Sequence, residues 1–202
     1  KAVGLARLIA GGFTVPQGFC VTTEAYTQCV HTSGFMEHEE WQKVCALSGN
    51  ERASVLAGCR EQIRRIETSQ LAAHCLTALQ GLHQPPNTRW AVRSSATNED
   101  MAHTSFAGLY RTHLGVALFD IDTAIKDLWA SLWDERVVSY QSRQSNHTAP
   151  RMAVVVQPMV EAQSAGVAYS IHPVTGRSNQ VTINAVLGLA APLVDGTVAP
   201  DQ

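Results

Sequence analysis

Pro85 and Pro86, inside HQPPN (residues 83–87), divide the chain into two stretches with different periodicities. Proline has a fixed φ and no amide proton, and it pushes the residue before it toward extended geometry, so a helix ends here. Upstream, apolar residues recur every three or four positions. Leu56, Cys59, Ile63 and Ile66 make one stripe; Leu71, Cys75, Leu79 and Leu82 make another. Each predicts an amphipathic helix. Downstream, short apolar or alternating runs predict strands at 89–94, 105–116, 151–160, 164–172 and 180–188. On the second of these, Tyr110, Thr112, Leu114 and Val116 fall on one face. MAVVVQ (152–157) is apolar nearly throughout, as in a strand covered on both faces. One long helix is predicted over 120–142, capped by Asp120 or Asp122, with Ile121, Ile125, Leu128, Trp129 and Leu132 inward. Trp129 and Trp133, four residues apart, read as core packing.

The N-terminal part adds shorter elements. AVGLARLIA (2–10) reads as a helix stopped by Gly11 and Gly12. FTVPQGFCVTT is extended, and Thr22 or Thr23 caps a helix reaching about Cys29 to His31, with Glu24 in its first turn. Residues 32–50 carry no clear periodic signal. Helices first and strands later define an α+β chain.

Such a chain needs a core. Of 202 residues, 45% are hydrophobic and 16% charged, which suffices for one sizeable domain or two small ones. Lysine and arginine number 15 against 17 acids, a net charge of −2 with no basic run, which argues against a nucleic-acid surface. No apolar stretch approaches the roughly 20 residues of a membrane helix. The five cysteines (Cys20, Cys29, Cys45, Cys59, Cys75) form no CxxC and read as reduced thiols. No signal peptide is read, and the expected compartment is cytoplasmic. The first residue is Lys1 rather than methionine, so the true start is expected upstream.

The segment AVRSSATNED (91–100) carries the chemistry. A strand delivers Arg93 to a loop rich in hydroxyls: Ser94, Ser95 and Thr97. Guanidinium binds phosphate oxygens in bidentate fashion, and loop amides add donors. An ordinary turn, with Arg93 paired to Glu99 or Asp100, fits the same residues, and the physics leaves the two open.

VRSSATNED followed by SFAG (105–108) resembles the signature of the nucleotide-binding domain of phosphoenolpyruvate synthase, pyruvate phosphate dikinase and rifampin phosphotransferase. Other segments are similar to that family in the same order: Lys1–Leu5, GFTVPQGFCVTTEAY (12–26), WASLWDERVVSYQSR (129–143), MAVVVQPMVEAQSAGVAYSIHPVTG (152–176) and GLAAPLVDGTVAPD (188–201). The resemblance implies an ATP-grasp-like fold, a helical part followed by a mixed or antiparallel sheet, truncated at its C-terminal end. Residues 1–150 would form the first lobe, with a helical block about 51–83 inserted, and 151–202 the start of an incomplete second lobe. It implies ATP between the lobes. Lys1 and Arg93 would meet the phosphates, Arg93 also stabilising charge during transfer. Gly108 and Thr112 would approach the triphosphate, and Gln157, Met159 and Val160 would line the adenine.

The resemblance further implies a multidomain phosphotransferase, in which ATP phosphorylates a histidine on a mobile domain of the same parent chain. That histidine would pass phosphate to an acceptor, pyruvate or an antibiotic hydroxyl such as a rifamycin's, held by a further domain. The architecture also serves prodiginine-type condensing ligases. Mg2+ ligands are expected beyond Gln202, none within the chain, and the stretch alone is expected not to turn over. Three departures stand out. The family's GLGE is Gly188, Leu189, Ala190, Ala191; an acid is replaced by Asn184; and the DPxTG aspartate is His172. They raise a rival reading, a degenerate non-catalytic nucleotide-binding module. His172 itself reads as part of a hairpin turn rather than a phosphohistidine.

Overall fold

The computed structural model describes residues 1–97, 100–101, 104–105, 110–142 and 149–198. Before Pro85 come α1 (Ala2–Ala10), β1 (Phe19–Val21), α2 (Thr23–Thr32), α3 (Glu37–Ala46), α4 (Gly49–Arg64) and α5 (Ser69–Gly81). After it come β2 (Trp90–Ala96), β3 (Asp100–Met101), β4 (Thr104–Ser105), β5 (Thr112–Val116), α6 (Ile121–Ala130), α7 (Glu135–Ser142), β6 (Met152–Pro158), β7 (Ser164–Tyr169), β8 (Thr182–Leu187) and α8 (Ala191–Val194). The architecture is α+β, and the described strand pairings are antiparallel. The chain divides into two compact units, Lys1–Met159 and Val160–Gln202.

In the first unit the sheet order is β1-β6-β2-β5. The apolar run of β6 lies between two partners, with Val154 and Val156 fully buried. α6 packs on β2, β5 and β6, and α4 packs on α6. The predicted stripes point inward. Leu56, Cys59, Ile63 and Ile66 are buried, as are Cys75 and Leu79, while Leu71 and Leu82 are half-buried. Trp129 meets Tyr26 edge-on at 5.3 Å, and Trp133 meets Phe35 at 5.3 Å and Trp41 at 5.6 Å. Both tryptophans are therefore core, as their spacing predicts. Thr22 caps α2, its hydroxyl accepting from the Ala25 N–H at 3.4 Å.

Four local expectations are corrected. Residues 37–46 form α3, hidden from periodicity because only Trp41 and Val44 turn into the core. The predicted helix over 120–142 is broken. Ser131 Oγ donates to the Leu128 carbonyl at 2.6 Å, Ser131–Trp133 tighten into a 3-10 turn, and Asp134 is extended. Its carbonyl then accepts from the Val137 and Val138 amides and starts α7, while the Trp133 carbonyl accepts from Arg60 at 2.8 Å. Neither predicted aspartate caps α6. Asp120 occupies the cap without a side-chain bond, and Asp122 accepts from Thr68 at 2.7 Å and pairs with Lys126 at 2.8 Å. Lastly, Thr112 and Val116 do not share a face. Val92 pairs with His113 but Trp90 with Val116, an extra residue accommodated at Gly115, whose φ is +70°. Such a bulge reverses the alternation.

The second unit holds β7 and β8, paired from Ser164 with Leu187 to Tyr169 with Thr182. Gly166 is needed there: a Cβ would stand 2.4 Å from the Asn184 carbonyl oxygen.

Candidate functional site

Strand alternation sorts the side chains of β2. Trp90, Val92, Ser94 and Ala96 are buried; Ala91, Arg93 and Ser95 are half-buried on the opposite face. Directly paired residues share a face. Cys20 on β1, Val155 on β6, Arg93 on β2 and Thr112 on β5 therefore form one row across the sheet. Ser95 sits one step along, opposite Ala153, and Ala91 pairs with Gln157.

Two contacts organise this face. Arg93 Nη1 donates to Gln157 Oε1 over a long 3.4 Å, and Gln157 Nε2 donates to the Pro16 carbonyl at 2.8 Å. Gln157 is only 7% exposed. Among the described residues no carboxylate forms an ion pair with Arg93. A guanidinium without a carboxylate partner suits an anion. Glu99 and the Asp100 side chain, the partners of the turn alternative, lie outside the described residues. The hydroxyls divide by role. Ser94 is buried on the core side, and Thr97 binds the Arg151 main chain through its own amide (2.9 Å) and its hydroxyl (3.2 Å). Ser95 lies on the Arg93 face of the strand.

The structure thus brings Arg93, Thr112 and Gln157 onto one face. Lys1 joins them at Ser95, whose Oγ accepts from the Lys1 main-chain nitrogen at 3.0 Å. Met159 follows at the end of β6, its N–H donating to the Arg89 carbonyl at 2.8 Å. Val160 begins the second unit and is 58% exposed. Gly108 lies outside the described residues. Sequence reasoning missed the Pro16–Gly18 segment. A Cβ on Gly18 would stand 2.2 Å from the Val156 carbonyl and 2.7 Å from Gln157 Cγ, so only glycine lets the segment come this close. Pro16 and Gln157 are 141 residues apart, and no local pattern joins them.

In the second unit, His172 makes a turn. Its Nδ1 accepts from the Val174 and Thr175 amides at 3.3 and 3.2 Å, as a carboxylate would. This supports the hairpin-turn reading. Asn184 Oδ1 is buried with no hydrogen-bond partner among the described residues. Ala190 and Ala191 begin α8.

Comparison with known proteins follows the same span. A family model described as pyruvate phosphate dikinase, AMP/ATP-binding domain, matches residues 1–202. Phosphoenolpyruvate synthase of Aeropyrum pernix is 38% identical over 218 aligned residues, covering 100% of this chain and 26% of that protein. Rifampicin phosphotransferase of Streptomyces sviceus is 37% identical over 194, covering 94% and 22%. A probable phosphoenolpyruvate synthase of Pyrococcus horikoshii is 30% identical over 243, covering 100% and 30%. The chain spans about a quarter of the length of these relatives.

Proposed function

Because the chain belongs to the pyruvate phosphate dikinase AMP/ATP-binding domain family, we infer that it is the ATP-binding part of a larger phosphotransferase. The observation that carries this reading is Arg93 on a half-buried sheet face, in no ion pair with a described carboxylate, with Ser95 and Thr112 on the same face. A phosphate needs fixed positive charge and hydroxyl or amide donors, which such a face supplies. Arg93 holds the phosphates and stabilises charge as the terminal group departs. Lys1, Gly108 and Thr112 serve the triphosphate, and Gln157, Met159 and Val160 follow toward the base. An ATP-grasp arrangement, with 1–150 and 151–202 contributing to successive lobes, is part of this reading.

Phosphoryl transfer asks a protein mainly for positioning and charge neutralisation. The parent enzyme then moves phosphate from ATP to a histidine on another domain, and from there to pyruvate or an antibiotic hydroxyl. The compartment proposed is cytoplasmic. Among the described residues no helix is long and apolar enough to cross a membrane. No group of three or more metal-ligating side chains occurs among them either. The ligands of Mg2+ are proposed to lie elsewhere in the parent chain. The stretch alone is accordingly proposed not to turn over.

The departures at Asn184, Ala190 and Ala191 favour one rival, a module that kept the fold and lost the chemistry. Another use of the same ATP site is a condensing ligase. Calorimetric titration of the parent protein with ATP separates binding from its absence. Wild type should saturate, and Arg93→Ala should weaken binding by about tenfold to a hundredfold, the value of charge-assisted hydrogen bonds. Its melting temperature should stay unchanged. No saturation at millimolar ATP would favour the non-catalytic module.

A further inference from the structure

Asp134 ties the helical layer to the entry of β5. It lies in the extended break between the 3-10 turn and α7, with its backbone fixed on both sides. Its N–H donates to the Ser131 carbonyl at 3.1 Å, and its carbonyl accepts from the Val137 and Val138 amides. Its carboxylate faces two arginines. Oδ1 is 3.9 Å from Arg60 Nη1 on α4, and Oδ2 accepts from Arg111 Nη2 at 3.3 Å. Arg60 is itself held by the Trp133 carbonyl at 2.8 Å. The Asp134 side chain is 26% exposed and that of Arg111 is 63% exposed. Asp134 is therefore the fixed partner, and Arg111 the one that is held.

The strand that Arg111 leads into makes the pair matter. β5 is an edge strand of its sheet, and Arg93 with Thr112 is the outermost described rung of its ladder. Ser94, Ser95 and Ala96 continue past that rung, paired to β6. A strand end held by one neighbour opens more readily than the middle of a sheet. We propose that Asp134 is a positioning residue: it holds Arg111, which pins the outer end of β5 and sets where Thr112 stands beside Arg93. Successive side chains leave a strand on opposite sides, so Arg111 reaches the helical layer while Thr112 keeps the Arg93 face. The proposal rests on the ATP reading of that face, and it deepens the place given to Thr112 there. An ion pair this exposed is worth little in water, so its effect on the ligand is small.

The test uses the full parent protein with Asp134→Asn, Arg111→Met, Arg111→Lys and Thr112→Val, and the double variants of Asp134→Asn with Arg111→Met and with Thr112→Val. Asparagine caps a helix as well as aspartate does, so Asp134→Asn removes the charge and keeps the start of α7. The first measurement needs no nucleotide. It is limited trypsin cleavage of the Arg111–Thr112 bond, which follows how often the strand end opens. Asp134→Asn should speed it about twofold to fivefold. Arg52→Met, which breaks the α4 pair with Glu135 at 3.3 Å, should leave it unchanged. Cleavage unchanged in Asp134→Asn, or raised equally in Arg52→Met, would overturn the anchor.

The second measurement is ATP affinity. Asp134→Asn and Arg111→Met should each weaken it about twofold to fivefold, while Arg111→Lys, which keeps a cation for Asp134, should stay near wild type. Asp134→Asn should cost nothing further in the Arg111→Met or the Thr112→Val background. A loss with Arg111→Met but none with Asp134→Asn would mean that Arg111 meets the nucleotide itself. An equal loss from Asp134→Asn with and without Thr112→Val would mean that Asp134 does not act through Thr112. Either result would overturn the proposal. If wild type binds no ATP, the ATP reading fails, while the cleavage measurement still decides the anchor.

Discussion

Two strands of similar character meet opposite fates in this molecule. β6 (MAVVVQP) and β8 (TINAVL) are both largely apolar runs with a single amide residue. β6 is paired on both edges, and Val154 and Val156 are fully buried. β8 is paired on one edge; Ile183 is 58% exposed and Leu187 is 90% exposed. None of the described residues 160–198 is buried. Apolar area stabilises a fold at about 25 cal/mol per Å2 only when something covers it, and an isolated two-stranded sheet is marginal in water. The first unit makes its own cover from α4 and α6. The same pattern in the second unit defines strands without supplying a core.

The widest separation between the units should come from one substitution made in each. Leu128 is fully buried on α6. Leu128→Ala should cost about 2–5 kcal/mol. Leu187→Ala should stay within about 0.5 kcal/mol, as for exposed positions. Native-state hydrogen exchange, read separately on the amides of α6 and β8, gives each value. A cost near that of Leu128 at Leu187 in the parent protein would break the comparison, showing that its face is covered there.

The contrast also explains what sequence could and could not tell. Helical stripes such as Leu56-Cys59-Ile63 and the short apolar run opening the strand at 89–94 are local, and local patterns were readable. Arg93 was readable as a candidate because a strand end and its hydroxyls sit together in the chain. The helix break at Asp134 was not, because it depends on Arg60 reaching the Trp133 carbonyl from 73 residues away. The bulge at Gly115 needed the register against β2. α3 offered only Trp41 and Val44 as buried anchors, too few for a period. The Gln157–Pro16 bond belongs to the same class, since it joins the first strand region to the fourth strand of the main sheet.

A smaller and differently shaped difference is expected in alkali. All five cysteines lie in the first unit, and those described are free thiols. Burial, reinforced by the Glu40 carboxylate 3.9 Å away, pushes the Cys59 thiol up to about 12. Burial pushes Cys75 up to about 11, with Asp122 adding to it. The ordinary value is 9.0. Between pH 9 and these values the folded chain keeps protons that the unfolded chain releases. Unfolding then binds fewer protons, so stability falls as pH rises through this window. Each thiol should contribute on the order of 1 kcal/mol of loss by about pH 10. Cys59→Ala should flatten that slope in exchange on α4 amides and leave β7 and β8 unaffected. An unchanged slope would place the alkaline sensitivity outside Cys59.

The smallest effect tests whether the second unit, lacking a core, depends on its turns. His172 is half-buried and its Nδ1 takes two amide protons, from Val174 and Thr175, while the Gly176 amide returns to its carbonyl at 2.9 Å. Accepting at Nδ1 requires that nitrogen to be unprotonated. The ring therefore does what an aspartate does in a turn, which is why histidine can stand where the family's aspartate is expected. His172→Asp should keep the turn, since a carboxylate accepts both protons. His172→Ala frees two exposed amides and should cost about 0.5–1 kcal/mol locally. Exchange at Val174 and Thr175 reads the difference. Faster exchange in the alanine variant and wild-type exchange in the aspartate variant would show that this unit is held by local hydrogen bonds where the first is held by its core. Equal exchange in all three would mean that the turn is set by Pro173 and by Gly176, whose φ is +68°, and that the histidine is incidental to it.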